Sequence, residues 1–561
     1  MRPAVSNQAV AAPTKPLDAL LVRLAELRSR GFELGVAACT FGVGAFLVLQ
    51  LTAWPPHEDE TLALFVGRES IGAMLRTVLD QRGGAPLHFL LAWVVAHTGG
   101  GLVGLRLVST VFATASVPVV AALGARLAGR LTGLVATVLL SGSWMLLFHG
   151  VYGRMYSLFL FTSSLSMLAL LNAADRSSRR AWGLWVLAIL ACIAAHPYGA
   201  LVLAAQGVWV LVARVPLRRA APAFALVAVA GIPFWRTDLV LAGRFDVGVT
   251  SGPTRLNGPG EIARYLELVA SDFTAGYTAV VTPVLLLALA GLVDLLRRWP
   301  RRATLAASAA ATPIAALVLA KLGSAAPMSR HLIFIFPFFM LAVARGLLLA
   351  AQLARRAAPA VTCLVVAALV PAEVAWGWHK TPELYRGEPR ARVAARAAAS
   401  AWLAATSRPD DVLFGYEPLY LQAWERGGHV SQTVIPRADS KLALKTLEAI
   451  RKPLGHGVWM FDASDTTNLV RRLEIPLTYP QPRSAFQVRA FGPFLIVRTV
   501  NPTRSVRTYL KLSRRVELVG ESLSLGDADV NLLTVELAAD RFAHEQRARA
   551  LAQASARATS G

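Results

Sequence analysis

The sequence is poor in cysteine and has none of the common metal-binding patterns. Its three cysteines, Cys39, Cys192 and Cys363, each stand alone inside an apolar run, which excludes a disulfide framework and a cysteine-based zinc site. HExxH and EF-hand patterns are absent as well. The sequence therefore predicts no cofactor. A divalent metal on adjacent carboxylates and a histidine stays open, but no pattern indicates it.

Charged residues are also scarce, at 16% of 561 residues, whereas soluble domains carry about 25%. Apolar runs of roughly 20 residues, the length that crosses the hydrocarbon core as a helix, recur between Phe32 and Trp378. These features exclude an ordinary soluble protein. They predict a mainly α-helical fold, a polytopic membrane bundle of about eleven spans.

Basic residues outnumber acidic ones by 57 to 34, but most of them form short clusters between apolar runs, so we predict no nucleic-acid partner. Cytoplasmic loops are the loops enriched in Lys and Arg. The clusters fall at residues 23–30, 126–130, 176–180, 214–219, 297–302 and 355–356. They can all share the cytoplasmic side of a plasma (inner) membrane, with the N-terminus inside and the C-terminus outside. With this placement, the chain must cross the membrane an odd number of times within residues 86–123. One of the two apolar pieces there is therefore partial or re-entrant.

The composition divides the chain into four parts. We predict a basic cytoplasmic N-terminus at 1–31, a membrane domain at 32–378, an extracytoplasmic α/β domain at 379–540 and a tail at 541–561. In the third part, Asp411–Tyr416, Gly457–Asp462 and Ala490–Arg498 have the pattern of strands, and Lys441–Arg451 that of a helix.

Ionisable residues near membrane depth are costly, so those beside the apolar runs are candidates for function. The stretch WPPHEDET, residues 54–61, places Asp59 and Glu60 directly after the first span. A solvated loop explains an isolated acidic pair. Alternatively, a carboxylate at this boundary can act as a general base toward a hydroxyl group.

Three arginines and one histidine fall on the same predicted outer side. Arg106, Arg154 and Arg330 contradict the charge bias of the loops, and guanidinium groups bind phosphate bidentately. Together they predict an electropositive pocket for an anionic lipid head group, opposite the carboxylates. His196, in the sequence HPY, is a candidate ligand, a hydrogen-bond donor to the phosphate, or a helix-end histidine at the membrane interface.

Residues 33–380 resemble polyprenyl-phosphate-dependent glycosyltransferases of the C superfamily, close to protein O-mannosyltransferases and lipid A aminoarabinose transferases. The resemblance rests on five short motifs and on their order along the chain. The motifs are Asp59-Glu60, Pro86-Leu87-His88-Phe89, Arg106 to Ser109, Arg154 to Tyr156, and Ser329-Arg330-His331 leading to Pro337. The chain departs from the family at Ala85, where many members have a second proline, and at His331, where many have tyrosine. These departures leave the sugar undetermined.

The resemblance implies a sugar carried on a lipid-linked phosphate, an extracytoplasmic acceptor hydroxyl and inversion at the anomeric carbon. It assigns Asp59 as the base, with Glu60 either supporting Asp59 or binding the acceptor. It assigns Arg154, Arg330 and Arg106 to the donor phosphate. The expected partners are the polyprenyl-phosphate donor, a glycan, lipid or protein acceptor, and membrane lipids.

Two other functions are compatible with many spans. A lipid or glycan transporter needs charges near the midplane and symmetric halves, and neither is evident in the sequence. A non-catalytic glycan-binding subunit does not need this many spans with charges gathered on one face.

Overall fold

Helices dominate the part of the chain that the structure describes. The structure is a computed structural model, and it describes residues 30–176, 178–245, 258–276, 278–319, 328–382, 385–414, 418–427, 433–435, 455–462, 486–492, 494–500 and 502. The predicted helix Lys441–Arg451 and the predicted tail 541–561 lie outside these residues.

The helices of the N-terminal half are α1 Gly31–Gln50, α2 Glu58–Gly67, α3 Ile71–Arg76, α4 Pro86–His97, α5 Gly101–Ala128, α6 Arg130–Ser141, α7 Trp144–Val151, α8 Tyr156–Arg176, α9 Arg179–Ala195, α10 Gly199–Val212, α11 Leu217–Ala230 and α12 Ile232–Phe245. The later helices are α13 Pro259–Phe273, α14 Thr278–Arg298, α15 Pro300–Leu319, α16 Phe336–Gln352, α17 Ala358–Lys380, α18 Arg390–Thr406 and α19 Pro418–Gly427. A π-helical turn spans Thr77–Arg82, and 3₁₀ turns span Ser329–Leu332 and Arg355–Ala357.

Several of these helices are long and apolar enough to cross a membrane, which confirms the predicted class of polytopic helical bundle. Among the described helices, five meet this test, or seven if each of two bent pairs, α6 with α7 and α11 with α12, forms one span. Three shorter apolar helices, α4, α10 and α16, accompany them. The figure of about eleven crossings stays a prediction.

The region predicted to contain a partial crossing consists of a short and a long helix. The twelve residues of α4 rise only about 18 Å, less than the hydrocarbon core, whereas the 28 residues of α5 exceed it. The short helix is therefore the candidate for the piece that does not cross.

The bundle is held together in part by close backbone contact between α14 and α16. A Cβ added to Gly291 would clash with the carbonyl oxygen of Ala342, and one added to Gly346 would clash with that of Leu287. Only glycine allows this approach. Helices in a membrane associate through such small residues because lipid tails provide little hydrophobic driving force.

The C-terminal region contains a five-stranded sheet of β1 Val412–Phe414, β2 Thr433–Ile435, β3 Gly457–Asp462, β4 Phe486–Phe491 and β5 Phe494–Thr499. The strand order is β2-β1-β3-β5-β4. β1 pairs in parallel with β2 and β3, and β5 pairs antiparallel with β3 and β4. Helices α18 and α19 pack with this sheet, so the region is α/β as predicted.

The residues of one predicted strand belong to two strands, the end of β4 and most of β5. The sequence predicts a continuous strand over Ala490–Arg498, but the chain reverses direction at its middle, where Gly492 has φ +53°. Phe491 and Phe494 close the resulting hairpin as a cross-strand pair. Glycine adopts this left-handed conformation without steric cost, and the apolar residues on both sides hide the turn from a periodicity argument.

Helix α2 of the helical bundle packs against the C-terminal domain. Phe65 belongs to the hydrophobic core of the C-terminal domain, where its ring centroid lies 5.1 Å from that of Tyr420. In the opposite direction, Leu421 belongs to the cluster that contains Ala63 and Leu64 of the same helix. The two domains therefore interlock through adjacent residues of α2 and α19.

We expect Phe65→Ala to loosen this junction. Replacing a buried phenylalanine with alanine costs about 3–5 kcal/mol, because apolar area is lost and a cavity remains. Limited proteolysis in detergent should therefore cut the C-terminal domain of the variant at least ten times faster than that of the wild type.

Val393→Ala is the matched control, since Val393 lies on α18 of the same domain but is exposed. Its cleavage rate should equal that of the wild type. Equal rates for Phe65→Ala and the wild type would contradict the interlock.

Candidate active site

The stretch WPPHEDET forms the entry to α2. His57 caps the helix: its Nδ1 accepts the backbone N–H of Asp59 at 3.1 Å, and Oε2 of Glu60 accepts the backbone N–H of His57 at 3.0 Å. Both carboxylates thus lie in the first turn, where the positive end of the helix dipole stabilises negative charge. The two adjacent residues point to different surroundings.

Glu60 forms a buried ion pair with Arg106 of α5. Arg106 Nε donates to Glu60 Oε1 at 2.9 Å and Nη2 to Oε2 at 2.8 Å, with exposed fractions of 1% for the arginine and 0% for the glutamate. The remaining three N–H groups of Arg106 donate to the backbone carbonyls of Leu51, Trp54 and Pro55 at 2.8–3.1 Å. All five guanidinium donors are therefore used inside the protein.

The same carboxylate reaches the turn between α7 and α8. Glu60 Oε1 also accepts the backbone N–H of Gly153 at 2.8 Å, so one side chain joins α2, α5 and this turn. The neighbouring residue in the turn is Arg154. Its position relative to Asp59 is consequently fixed through Glu60.

Asp59 faces a different set of groups. Its Oδ2 lies 2.5 Å from Nη1 of Arg154 and accepts the hydroxyl of Tyr152 at 3.1 Å. The Tyr152 oxygen is also 2.9 Å from Nδ1 of His57. Within the described residues Oδ1 has no hydrogen-bond partner. One carboxylate oxygen is held by the protein, and the other is available to a ligand.

These surroundings keep Asp59 ionised. Burial acts to raise the pKa of its carboxyl group, but the Arg154 guanidinium opposes this effect and, with contributions from Arg330 and other neighbours, lowers the pKa below its usual range. The ion pair also holds the pKa of Arg154 above its usual value, against the effect of burial. The pair is therefore charged at any physiological pH.

Arg330 lies on the 3₁₀ turn before α16. Its guanidinium carbon is 5.4 Å from the ring centroid of Tyr156, and Arg154 lies over the same ring at 5.7 Å. The Nε atoms of both arginines are buried and have no hydrogen-bond partner in the described part of the chain. Two guanidinium groups with unused donors converge on one tyrosine.

The turn that carries Arg330 is attached to two other helices. The Ser329 hydroxyl donates to Asp272 at the end of α13, and the same carboxylate pairs with Lys380 at the end of α17. The Lys380 ammonium lies 4.1 Å from the ring centroid of Trp144. These contacts anchor the backbone beside Arg330.

His196 borders the same region at the end of α9. Its ring stacks on Phe159 at 4.6 Å, and its centroid lies 6.0 Å from that of Tyr156 and 5.6 Å from that of His331. The structure thus brings Asp59, Arg154, Arg330 and His196 together around Tyr156, with the Glu60–Arg106 pair beside them. This pair has no donor left for a phosphate.

The sequence analysis assigned no role to four residues of the site: Tyr152, Tyr156, His149 and His331. Each lies within two to five residues of Arg154 or directly after Arg330, in stretches already singled out for those arginines. Polar aromatic residues next to a predicted outer arginine are the signal that could have found them.

In the described part of the chain, the site contains no cluster suited to a metal. Among the described residues, no three side chains of His, Cys, Asp or Glu lie close enough to bind one ion. The nearest pair of carboxylates, Asp59 and Glu60, is engaged by separate arginines.

Neither a family model nor a curated protein matches the sequence. Solved structures do match in fold. ArnT from Cupriavidus metallidurans in the apo state aligns at a TM-score of 0.51 and 16% identity, over 84% of this chain and 98% of ArnT. The same protein bound to undecaprenyl phosphate aligns at 0.52 and 15% over the same shares.

A second glycosyltransferase also has a similar fold. The oligosaccharyltransferase AglB from Archaeoglobus fulgidus, in complex with an inhibitory peptide and a dolichol-phosphate, aligns at a TM-score of 0.50 and 12% identity, over 82% of this chain and 73% of AglB. At these identities the likeness concerns the fold alone. It confirms the fold expected from the sequence resemblance.

We expect Glu60→Gln to destabilise the protein strongly, because it leaves the Arg106 charge buried without its counter-ion. Removing one partner of a buried pair costs about 3–5 kcal/mol. The measurement is the thermal unfolding midpoint of the detergent-solubilised protein. A double replacement, Glu60→Leu with Arg106→Met, should lose less than the sum of the two single changes.

Asp175→Asn provides the control, because its pairing with Arg126 at 2.6 Å is surface-exposed. Such pairs contribute about 0–1 kcal/mol, so the midpoint should hardly change. If Glu60→Gln were as mild as this control, the pair would not organise the site.

Proposed function

We propose that this protein is an integral membrane glycosyltransferase. It moves a sugar from a polyprenyl-phosphate donor to an acceptor hydroxyl on the extracytoplasmic face, with inversion at the anomeric carbon. The observation that carries the proposal is the Asp59 carboxylate: it is ionised, has one oxygen free, and lies beside two arginines with unused donors.

The fold adds independent support for the class. Structures of similar fold hold undecaprenyl phosphate in one case, and dolichol-phosphate with a peptide in another. A lipid-linked donor also explains why the site is built on apolar helices: such a donor stays in the membrane. We therefore assign the donor phosphate to the same boundary as Asp59.

The proposed reaction is a single displacement. Oδ1 of Asp59 orients the acceptor hydroxyl and accepts its proton, while the acceptor oxygen forms a bond to the anomeric carbon. The bond between that carbon and the phosphate oxygen breaks, and the electron pair leaves with the polyprenyl phosphate. The low pKa makes Asp59 a weak base, so proton transfer is late and orientation is its larger contribution.

The two arginines stabilise the negative charge that grows on the leaving phosphate. Arg330 has no carboxylate partner among the described residues, so we assign it the main contact with the phosphate oxygens. Arg154 bridges the phosphate and Asp59. Arg154 thereby positions the donor phosphate relative to Asp59.

The other residues singled out in the sequence take supporting roles. Glu60 and Arg106 position the α2 entry and the Arg154 turn rather than touching the donor. His196 lies beside Tyr156, where it can donate a hydrogen bond to the donor substrate. We propose no metal requirement, in keeping with the separate engagement of the two carboxylates.

The first test is Asp59→Asn. Asparagine keeps the size but cannot accept the proton, and the charge balance with Arg154 is lost. In membranes with matched protein levels, transfer of labelled sugar from a panel of polyprenyl-phosphate sugars to endogenous acceptors should fall at least 100-fold. Asp80→Asn is the control, since its pair with Arg236 is exposed and lies on the π-helical turn.

Each outcome bears on a different part of the proposal. Full transfer by Asp59→Asn would remove the base assignment while keeping the enzyme. No transfer by the wild type from any donor of the panel would count against the glycosyltransferase itself.

The pH dependence provides a second test. Asp59 must be ionised to act, and because its pKa is lowered, activity persists down to a pH below the usual carboxyl range near 4. In Arg154→Gln, burial is no longer opposed by the nearest positive charge. The acid limb of the residual kcat/KM should therefore move to higher pH.

Arg330→Gln should move the acid limb less, because Arg330 contributes less than Arg154 to lowering the pKa of Asp59. An acid limb at the same pH in all three proteins would show that Asp59 is not the titrating base.

A further inference from the structure

Tyr156 is surrounded by two buried histidines, His149 and His196, a half-buried third, His331, and a second tyrosine. The ring centroids of His149, His196 and His331 lie 5.0, 6.0 and 5.9 Å from that of Tyr156, and the ring of Tyr198 lies 5.7 Å from that of His331. We call these five residues the Tyr156 cluster. It directly adjoins Arg154 and Arg330, which both lie over the Tyr156 ring.

The hydrogen bonds within the cluster leave donors that point to a ligand. His331 Nδ1 accepts the backbone N–H of Met328, so its own proton is on Nε2, which lies 3.4 Å from the Tyr156 oxygen. Tyr156 therefore accepts from His331 and keeps its hydroxyl proton for another partner. His196 Nδ1 likewise accepts from the backbone of Tyr198, which places its proton on Nε2.

His149 is the clearest sign of a missing partner. It is 2% exposed, and neither of its ring nitrogens has a hydrogen-bond partner in the described part of the chain. A buried polar group left unpaired costs roughly 1–3 kcal/mol, so such groups usually meet a ligand or water. A neutral imidazole offers one donor and one acceptor, which matches a hydroxyl group.

The charges around the cluster are already assigned. Arg154 is paired with Asp59. Lys380, at the end of α17, is paired with Asp272. Arg330 remains for the donor phosphate. The nearby carboxylates are engaged too: Asp59 by Arg154 and, in the proposed reaction, by the acceptor, and Glu373 by the backbone N–H of Trp144. In the described surroundings of the cluster, no cation besides Arg330 is left for an anionic group.

We propose that the Tyr156 cluster binds the transferred sugar, and that this sugar is neutral, a plain hexose or pentose rather than an amino sugar or a uronic acid. This inference rests on the proposed function. Neutral imidazoles and phenols both donate and accept, as sugar hydroxyls do. An ammonium group would be repelled by Arg154 and Arg330, and a carboxylate would compete with the phosphate for Arg330.

The first experiment compares donors on the wild-type protein in membranes. The probes are polyprenyl-phosphate mannose, glucose and arabinose as neutral sugars, 4-aminoarabinose as the cationic one and glucuronic acid as the anionic one. Transfer from at least one neutral donor, with kcat/KM at least 100-fold above both charged donors, is expected. Efficient use of a charged sugar would overturn this inference and leave the proposed function intact.

The second experiment separates recognition of the sugar from recognition of the phosphate. His149→Phe removes both ring nitrogens and keeps an aromatic ring. It should raise KM for the sugar donor roughly 3- to 10-fold, the effect of one or two lost hydrogen bonds. Inhibition by sugar-free polyprenyl phosphate should be unchanged, since that ligand makes no contact with His149.

Two further variants control this result. Trp182→Phe removes another buried, unpartnered N–H at the start of α9, and it should leave KM unchanged. His149→Gln retains a donor and an acceptor, so it should recover part of the wild-type affinity. An unchanged KM in His149→Phe, or equal weakening of donor and sugar-free phosphate, would overturn the assignment of the cluster. Absence of transfer from every donor by the wild type would instead refute the proposed function.

Discussion

The site depends on the buried ion pair between Glu60 and Arg106. Two charges removed from water are tolerated only when each hydrogen-bonding position is filled, and here every N–H of the guanidinium has an acceptor. Because Glu60 also binds the Gly153 backbone, one interaction sets the end of α1, the start of α2 and the turn before α8. The adjacent residues Asp59 and Arg154 inherit their geometry from it.

This arrangement separates two roles that the sequence leaves merged. Asp59 and Glu60 are neighbours in the chain, but in the first turn of a helix consecutive side chains point about 100° apart. The Glu60 carboxylate therefore faces the interior, where Arg106 and backbone groups bind it. The Asp59 carboxylate faces Arg154 and keeps one oxygen available to a ligand. Two acidic residues that are adjacent in a sequence therefore need not share one role.

Much of the fold could be predicted from the sequence, because long apolar runs constrain a membrane protein strongly. The first span and strand β3 at Gly457–Asp462 follow from local patterns alone. The hairpin at Gly492 could not be predicted, since apolar residues continue through the turn. Contacts between distant segments are also beyond a local pattern: nothing near Arg106 indicates that its partner is Glu60 rather than a phosphate. The same limit hid His149, whose importance comes from helices that converge on Tyr156.

The interlock between α2 and α19 has a consequence for how the protein is made. Phe65 and its partner Tyr420 lie far apart in the chain, and at roughly 5–20 residues per second their synthesis is separated by an interval on the order of tens of seconds. During that interval the helix that carries Asp59 lacks the domain against which it packs. Helix α2 therefore gains its packing against Tyr420 only after the C-terminal domain has been synthesised, whereas the contacts of Asp59 and Glu60 can form earlier, because their partners all precede residue 155.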